Sequence, residues 1–218
     1  TTLFRSPLFE EIERSFGIEK VTKEFFEEYK KRFLNLKESL EKVIKNDVSV
    51  KAEFIRITGE ENLERYIVEF SKKLLGQIVF LYFLQKKGWL GVRKDDSGRF
   101  KDWGTGPKDF MKRLFNREYC SYNNFFNDVL EPLFYNTLAI KRNDDFSDKF
   151  DCKIPFLNGG LFEPLDGYDW MNTNIYIENS IFEDVFRTFD EFNFTVKEDE
   201  PLEKEVAVDP EMLGKVFE

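Results

Sequence analysis

The sequence contains no histidine. That absence removes Ser-His-Asp and Cys-His catalysis, the HExxH zinc motif and any imidazole general base. Cysteine is scarce: Cys120 and Cys152 are the two present, in no CxxC spacing. A cysteine zinc site is excluded and a disulfide scaffold disfavoured, and the usage suits a reducing cytosol, so a cytoplasmic location is expected. No run reaches the roughly 18 apolar residues needed to cross a bilayer. The most apolar stretch, Leu74 to Leu84, still contains Gln77. The opening Thr1-Thr2-Leu3-Phe4-Arg5 has no apolar secretory core and no Met, so the chain reads as an excerpt of something longer. Neither phosphate-cradling loop, GxxxxGK[ST] or GxGxxG, is present, nor is an Asn-Pro-Pro-Tyr loop for an extruded base. What remains open is carboxylate chemistry, or no chemistry in this segment.

What the chain has is phenylalanine and charge. Of 218 residues, 26 are Phe, and charged residues make up 34% against 41% hydrophobic, a balance that fits a folded globular chain rather than a disordered or membrane one. A chain this long can bury about 70% of its unfolded surface. The Phe residues recur at helical spacing among acids, which reads as core packing. Residues 1–120 carry a net +5 and residues 121–218 a net −14, together the −9 of the whole chain. A mildly basic half could approach phosphate and an acidic half could not. Ordinary solvated surface on both halves is the plainer alternative.

The periodicity predicts mostly helix. Pro7 to Phe16 reads as a short helix stopped by Gly17. Thr22 caps a second that runs to about Asn46, with Phe25, Phe26, Tyr29, Phe33, Leu36, Leu40, Val43 and Ile44 inward. Val48 to Thr58 reads either way, because Val48, Val50, Ala52 and Phe54 alternate as in a strand while Ile55 and Ile57 break the phase. Glu60 to Lys87 reads as one long helix, apolar nearly all round from Leu74 to Leu84, and such a helix must be surrounded. Trp89 to Pro107 is a glycine-rich loop, Pro107 to Arg117 a helix with a basic face, and Ser121 to Ile140 a helix that Pro132 kinks. Asn143 to Asp151 reads as a polar loop. Ile175-Tyr176-Ile177 and Phe194-Thr195-Val196 are strand candidates around a helix at Ser180 to Glu191, with Ser180 and Glu183 as a capping box. Asp209-Pro210-Glu211 is a helix start. The expected architecture is mainly α: a helical bundle around a long central helix, with a small irregular α/β C-terminal part. The bundle is expected over 1–150 and the extension over 151–218, packed as one unit.

Candidates for chemistry are few. Gly104-Thr105-Gly106-Pro107 offers an anion nest, or a plain loop before a Pro-started helix. A metal nuclease pattern, acid…acid-x-Lys, can be laid over Asp145 with Asp151-Cys152-Lys153, or over Glu28-Tyr29-Lys30; in a chain this charged such triplets arise by chance. The feature with binding character is Trp89 to Arg117. It gathers Arg93, Lys94, Arg99, Lys101, Lys108, Lys112, Arg113 and Arg117 with Trp89 and Trp103, the residue types that clamp a nucleic-acid backbone. A solvated helix face with buried tryptophans is the other reading.

Three stretches carry a family resemblance. They are Val21-Thr22-Lys23-Glu24-Phe25-Phe26-Glu27-Glu28-Tyr29-Lys30, then Leu74-Leu75-Gly76-Gln77-Ile78-Val79-Phe80-Leu81-Tyr82-Phe83-Leu84-Gln85-Lys86-Lys87-Gly88-Trp89-Leu90, and the pair Leu157-Asn158-Gly159-Gly160-Leu161-Phe162-Glu163 and Ala207 to Glu218. In that order they resemble the helical connector of fused type IIG restriction-modification enzymes, which join a nuclease, a helical region, an adenine-specific DNA methyltransferase and a target-recognition domain. The resemblance implies that 151–218 leads into a methyltransferase lying beyond this chain. It implies S-adenosylmethionine and Mg for the parent and no cofactor or catalytic residue in this segment. It implies duplex DNA and the flanking nuclease and methyltransferase domains as partners, and no membrane. Similar helical regions also occur in phage-defence methyltransferases without a nuclease. The expected function is a non-catalytic spacer that contacts DNA backbone through those eight basic residues. The alternatives are a protein-interaction module of a phage-defence DNA methyltransferase, and a divergent Mg-dependent nuclease.

Overall fold

The computed structural model describes the backbone of residues 7–157 and 159–192, and the side chains of 23–157 and 159–192. The described residues are mainly helical, with one two-stranded sheet. The expected strand at 194–196 and the helix start at Asp209 lie outside them.

Helix α1 spans Pro7–Asn46 without interruption. Gly17 does not stop it: a glycine ends a helix by turning left-handed after the last turn, whereas one inside a helix costs only about 1 kcal/mol. Phe25, Tyr29, Leu36, Leu40 and Ile44 form its buried stripe. The outer face carries Glu28–Lys31, Glu38–Lys42 and Lys37–Glu41 pairs, one helical turn apart. The ambiguous segment is helix α2, Val48–Thr58. Its cap decides the matter: Asp47 Oδ1 accepts the Ser49 and Val50 N–H groups at 2.9 and 3.2 Å, and Gly59 at φ 78° ends it. Val50 and Phe54 then point inward together and Val48 is left out in solvent.

Helix α3, Leu63–Lys86, is the central helix, entered through a tight turn at Glu60–Asn62. Every residue from Leu74 to Gln85 is buried except Phe80. Four of the buried polar side chains of α3 are tied to backbone from distant elements, while Ser71 Oγ has no hydrogen-bond partner among the described residues. Tyr66 Oη donates to the Leu165 carbonyl at 2.8 Å, Gln77 Nε2 to Leu161 at 2.7 Å and Tyr82 Oη to Phe186 at 3.3 Å, while Gln85 Oε1 accepts the Met111 N–H at 2.9 Å. The helix closes with Gly88 at φ 70°, its N–H on Gln85 and the Trp89 N–H on Leu84, which satisfies carbonyls that a helix end leaves open. No helix among the described residues is long and apolar enough to cross a membrane.

Helix α4 is shorter than expected: Phe110–Phe115, with Pro107 to Asp109 in a turn and Arg117 at φ 64° already outside. The segment expected to kink at Pro132 instead widens. Asn124 caps it by accepting the Asn127 N–H, and it continues as wide i→i+5 turns over Phe126–Leu130 and Pro132–Leu138. Proline has no N–H to give and its ring crowds the carbonyl four residues back; a wider turn accommodates both. Within the expected polar loop, β1 (Phe146–Ser147) pairs antiparallel with β2 (Cys152–Lys153). Strands of two residues are too short to show alternation in sequence. Ile175-Tyr176-Ile177 has the alternation, Ile175 and Ile177 buried and Tyr176 exposed, but joins no strand among the described residues; the Ile177 carbonyl takes Asn124 Nδ2 at 2.7 Å.

Helix α5, Asn179–Asp190, starts one residue before Ser180 and has no side-chain cap; Ser180 Oγ turns to Glu178, and Asn179 Oδ1 takes the Phe125 N–H. The expected capping box therefore does not form. The buried face of α5 joins the others: Phe189 lies 5.8 Å from Phe25 and 5.4 Å from Tyr82, Phe186 5.5 Å from Phe115, and Phe182 5.6 Å from Phe125. One cluster of buried residues runs from Phe25 to Phe189.

A carboxyl group sits inside this aromatic core. Glu131, between the two wide turns, is 1% exposed; it accepts the Tyr168 hydroxyl on Oε1 and leaves Oε2 without a partner. Burial pushes it up to about 9, against the Tyr168 hydrogen bond, which acts the other way. Asp128 adds a smaller upward push, and Tyr135 stands beside Tyr168. The folded chain thus holds a proton that the unfolded chain gives up above 4.5. That support is whole below pH 4.5 and is lost as pH rises toward about 9, at roughly 1.4 kcal/mol per pH unit. Glu131→Gln copies the shape and neutrality of the protonated acid. Urea unfolding at pH 5 and pH 8 should show the variant gaining on the native chain at the higher pH, by on the order of 3 kcal/mol more than at the lower. Phe70, ringed by Phe54, Tyr66, Phe126 and Tyr168, reports the core itself. Phe70→Ala should cost about 3–5 kcal/mol in the same measurement, with no pH dependence of its own.

Candidate nucleic-acid interface

The loop after α3 is built from the helix end outward. The Gly88 carbonyl accepts both the Gly104 and Gly106 N–H groups, at 3.1 and 3.0 Å, so the loop closes on the point where it began. Gly106 passes so near that a Cβ there would stand 2.1 Å from the Leu90 carbonyl oxygen. The Thr105 N–H goes to Asp102. The amides of Gly104-Thr105-Gly106 are therefore spent inside the loop, and the anion nest does not form.

Between these clamps the chain folds back on itself. Lys94 pairs antiparallel with Phe100, and hydrogen bonds join Asp95 to Arg99 and Lys101 to Arg93. Asp95 Oδ1 closes the tip on the Ser97 and Arg99 N–H groups, and those bonds, with the Ser97 hydroxyl first, hold its carboxyl below its ordinary range. Val92 exchanges two backbone hydrogen bonds with Lys153, which joins this ribbon to β2 and so to β1. Arg142 fixes the far edge. Its half-buried guanidinium donates to the carbonyls of Phe146 (3.1 Å), Ile154 (2.6 Å), Ile140 (2.9 Å) and Thr137, tying the hairpin to the end of the wide helical segment. The polar-loop reading of 143–151 gave no hint of this role.

The eight basic residues are all exposed, but they do not share one face. Side chains alternate across a strand. Arg93 and Lys101 therefore lie opposite one another on one face, a like-charge pair that costs stability. The Arg93 guanidinium lies 4.5 Å from the Tyr119 ring centroid. Lys94 is on the other face, with Phe100. Arg99 stays with Asp95 at the tip, at 3.8 Å. On α4, Arg113 is paired with Asp109 at 2.7 Å and reaches Glu118 at 3.8 Å. Lys112 is exposed on the same short helix. Arg117 packs over Tyr122 at 4.4 Å, and Lys108 reaches back to the Gly104 carbonyl at 3.5 Å. Arg93, Lys94, Lys101, Lys108, Lys112 and Arg117 have no carboxylate within ion-pair distance among the described residues. Trp89 and Trp103 are 44% and 40% exposed, so the buried-tryptophan reading does not hold.

Sequence reasoning placed Lys153 in a nuclease triplet. Its ammonium instead stands 4.7 Å from the Trp103 centroid and 5.3 Å from that of Phe100. Asp145 spends Oδ1 on the Phe156 N–H, and Glu28 is paired with Lys31 and Arg32 on α1. Among the described residues no three acidic or sulfur side chains gather as a metal site would require. Lys153, Phe100 and Phe146 were missed as surface residues because the approach that unites them spans some fifty positions of sequence. Both cysteines are free thiols; burial pushes Cys152 up to about 12, which leaves it unreactive at neutral pH.

Comparison of the chain with models of known protein families, with curated proteins and with solved structures gives no match.

The tightness of the loop base is testable. Gly106→Ala must displace the Leu90 carbonyl, so it should lower the thermal midpoint by several degrees and shift the tryptophan emission, since the loop that carries Trp89 and Trp103 opens.

Proposed function

We propose that the chain is the non-catalytic helical connector of a type IIG-like DNA restriction-modification enzyme. In this reading it spaces a nuclease from an adenine methyltransferase and touches DNA backbone through the loop after α3 and through α4. The resemblance of its three stretches to that family supports the reading. The observation that carries the DNA contact is the set of exposed cations around 93–117 that make no close ion pair among the described residues, above all Lys101, Lys108 and Lys112, of which Lys101 and Lys112 meet Asp95 and Asp190 only at longer range. Eight basic residues face four acidic ones over that stretch, while the C-terminal half is strongly acidic, so polyanion would approach from one side only. The spacer role is supported by α3, about 36 Å of continuous helix at 1.5 Å per residue, whose second half, Leu74 to Gln85, is buried on nearly every side. S-adenosylmethionine and Mg belong, in this reading, to the flanking domains.

Contacts of this kind read charge and not sequence. Binding to duplex DNA should be weak, indifferent to sequence and steeply salt-dependent. The doubly reversed chain, Lys112→Glu with Arg113→Glu, should bind duplex on the order of tenfold less well at low salt. Its salt dependence should shallow by about one power of salt for each phosphate the variant no longer neutralises. Fluorescence anisotropy across a salt series measures both. A chain that binds no duplex at low salt, or whose reversed variant binds as before, would remove the DNA contact and leave a protein-interaction module, which the acidic half would then serve by docking a partner subunit.

A further inference from the structure

The second face of the ribbon holds an arrangement that phosphate contact alone does not use. Lys94 caps the packed rings of Phe100 and Phe146, whose centroids lie 5.4 Å apart, and Lys153 stands between Phe100 and Trp103, so the five side chains form one row of rings and ammoniums. Lys94 Nζ lies 5.2 Å from the Phe146 centroid and 5.0 Å from that of Phe100; Lys153 Nζ lies 5.3 Å from Phe100 and 4.7 Å from Trp103. Backbone pairing places four of the five: Lys94 faces Phe100 and Val92 faces Lys153 through isolated bridges, and Lys153 faces Phe146 in the β1–β2 pair, so Lys94, Phe100, Lys153 and Phe146 emerge on one side. Phe100 and Phe146 are half-buried, and Trp103 is 40% exposed at the end of the row.

Two cations here share one ring. They stand within roughly a Debye length of each other, about 10 Å at 0.1 M salt, so solvent screens their repulsion only in part. Neither makes an ion pair among the described residues. Rings orient ammoniums without neutralising them. The row therefore keeps its charge available beside flat apolar surface. Duplex DNA can meet the charge, but its bases are stacked and cannot reach the rings. A strand with unpaired bases can meet both.

We propose that this row binds single-stranded nucleic acid, an unpaired base stacking on Trp103 while Lys94 and Lys153 hold the neighbouring phosphates. The proposal rests on the nucleic-acid reading above for its ligand class, and narrows it to a strand whose bases are free.

The test uses the whole 218-residue chain and three probes at low salt: a short fluorescent oligothymidylate, an abasic strand of equal length, and a blunt duplex. The native chain should bind oligothymidylate better than the abasic strand, and binding should quench tryptophan emission. Trp103→Ala should weaken oligothymidylate roughly five- to fifty-fold and leave the abasic strand unchanged. Trp103→Phe keeps a ring and should restore most of the affinity while losing the quench. Lys153→Gln should weaken both single strands. Trp103 is exposed, so its variants keep the fold, which far-UV dichroism verifies. Equal affinity for the abasic strand, or oligothymidylate binding untouched by Trp103→Ala, overturns the proposal. Duplex binding without oligothymidylate binding also overturns it and leaves the connector's DNA contact standing. Oligothymidylate binding without duplex binding sustains it and removes the duplex contact.

Discussion

The fold depends on a helix that water cannot touch. From Leu74 to Gln85, α3 has almost no exposed side, and an apolar rod of that kind is stable only if other elements cover it completely. Covering it creates a second demand, because a buried polar side chain without a partner costs about 1–3 kcal/mol. Tyr66, Gln77, Tyr82 and Gln85 meet that demand by bonding the main chain of segments up to a hundred residues away. These bonds do what apolar contact alone cannot: they fix which turn of α3 each later segment lies against. Gln85 supplies the first turn of α4 with an acceptor, and Gln77 holds the turn near Leu161. The basic loop springs from the end of this same helix, so its position follows from the core.

Helical periodicity made α1 and α3 legible in the sequence, since a long amphipathic or all-apolar pattern has few other solutions. The errors have separate physical causes. Gly17 misled because glycine weakens a helix without ending it. Val48 to Thr58 could not be settled by alternation, and a single acceptor, Asp47 Oδ1, settles it in space. Pro132 was read for its missing N–H, yet the backbone absorbed it by widening its turns. Ser180 and Glu183 have the spacing of a capping box, but Ser180 bonds backward to Glu178 and the helix starts one residue earlier. The candidate interface was legible as composition and not as geometry. The cluster of cations between Arg93 and Arg117 was plain. Their division between two faces of a ribbon was not, because the chain folds back through a single Lys94–Phe100 pairing too short to show alternation, and the ribbon is anchored through Val92 to residue 153.

Phenylalanine explains much of the interior. Aromatic rings meeting edge to face give a core that is directional as well as apolar. Phe70 touches four rings from four segments, and Phe189 ties α5 to both α1 and α3. Among the described residues the same interior buries an acid, Glu131, at the point where Pro132 widens the backbone. An amphipathic bundle needs no such group, and its neutral state at physiological pH makes it a hydrogen-bonding acid and not a charge. At the surface Lys94 and Lys153 are set on rings beside solvent. Aromatic side chains thus surround an acid in the core and two ammonium groups at the surface.

The loop after α3 is rigid at its root and free at its end. Gly88, Gly104 and Gly106 are locked by the shared Gly88 carbonyl, and at Gly88 and Gly106 the backbone approaches too closely for any side chain. Gly98, at the tip, has nothing within reach of an added Cβ. The φ of 79° still favours glycine there, so it is added length beside Gly98, pointing into open space, that the tip can accept while the root stays as it is. Related chains would be expected to diverge there first, and a reporter peptide spliced at that point would ride on an anchored stalk.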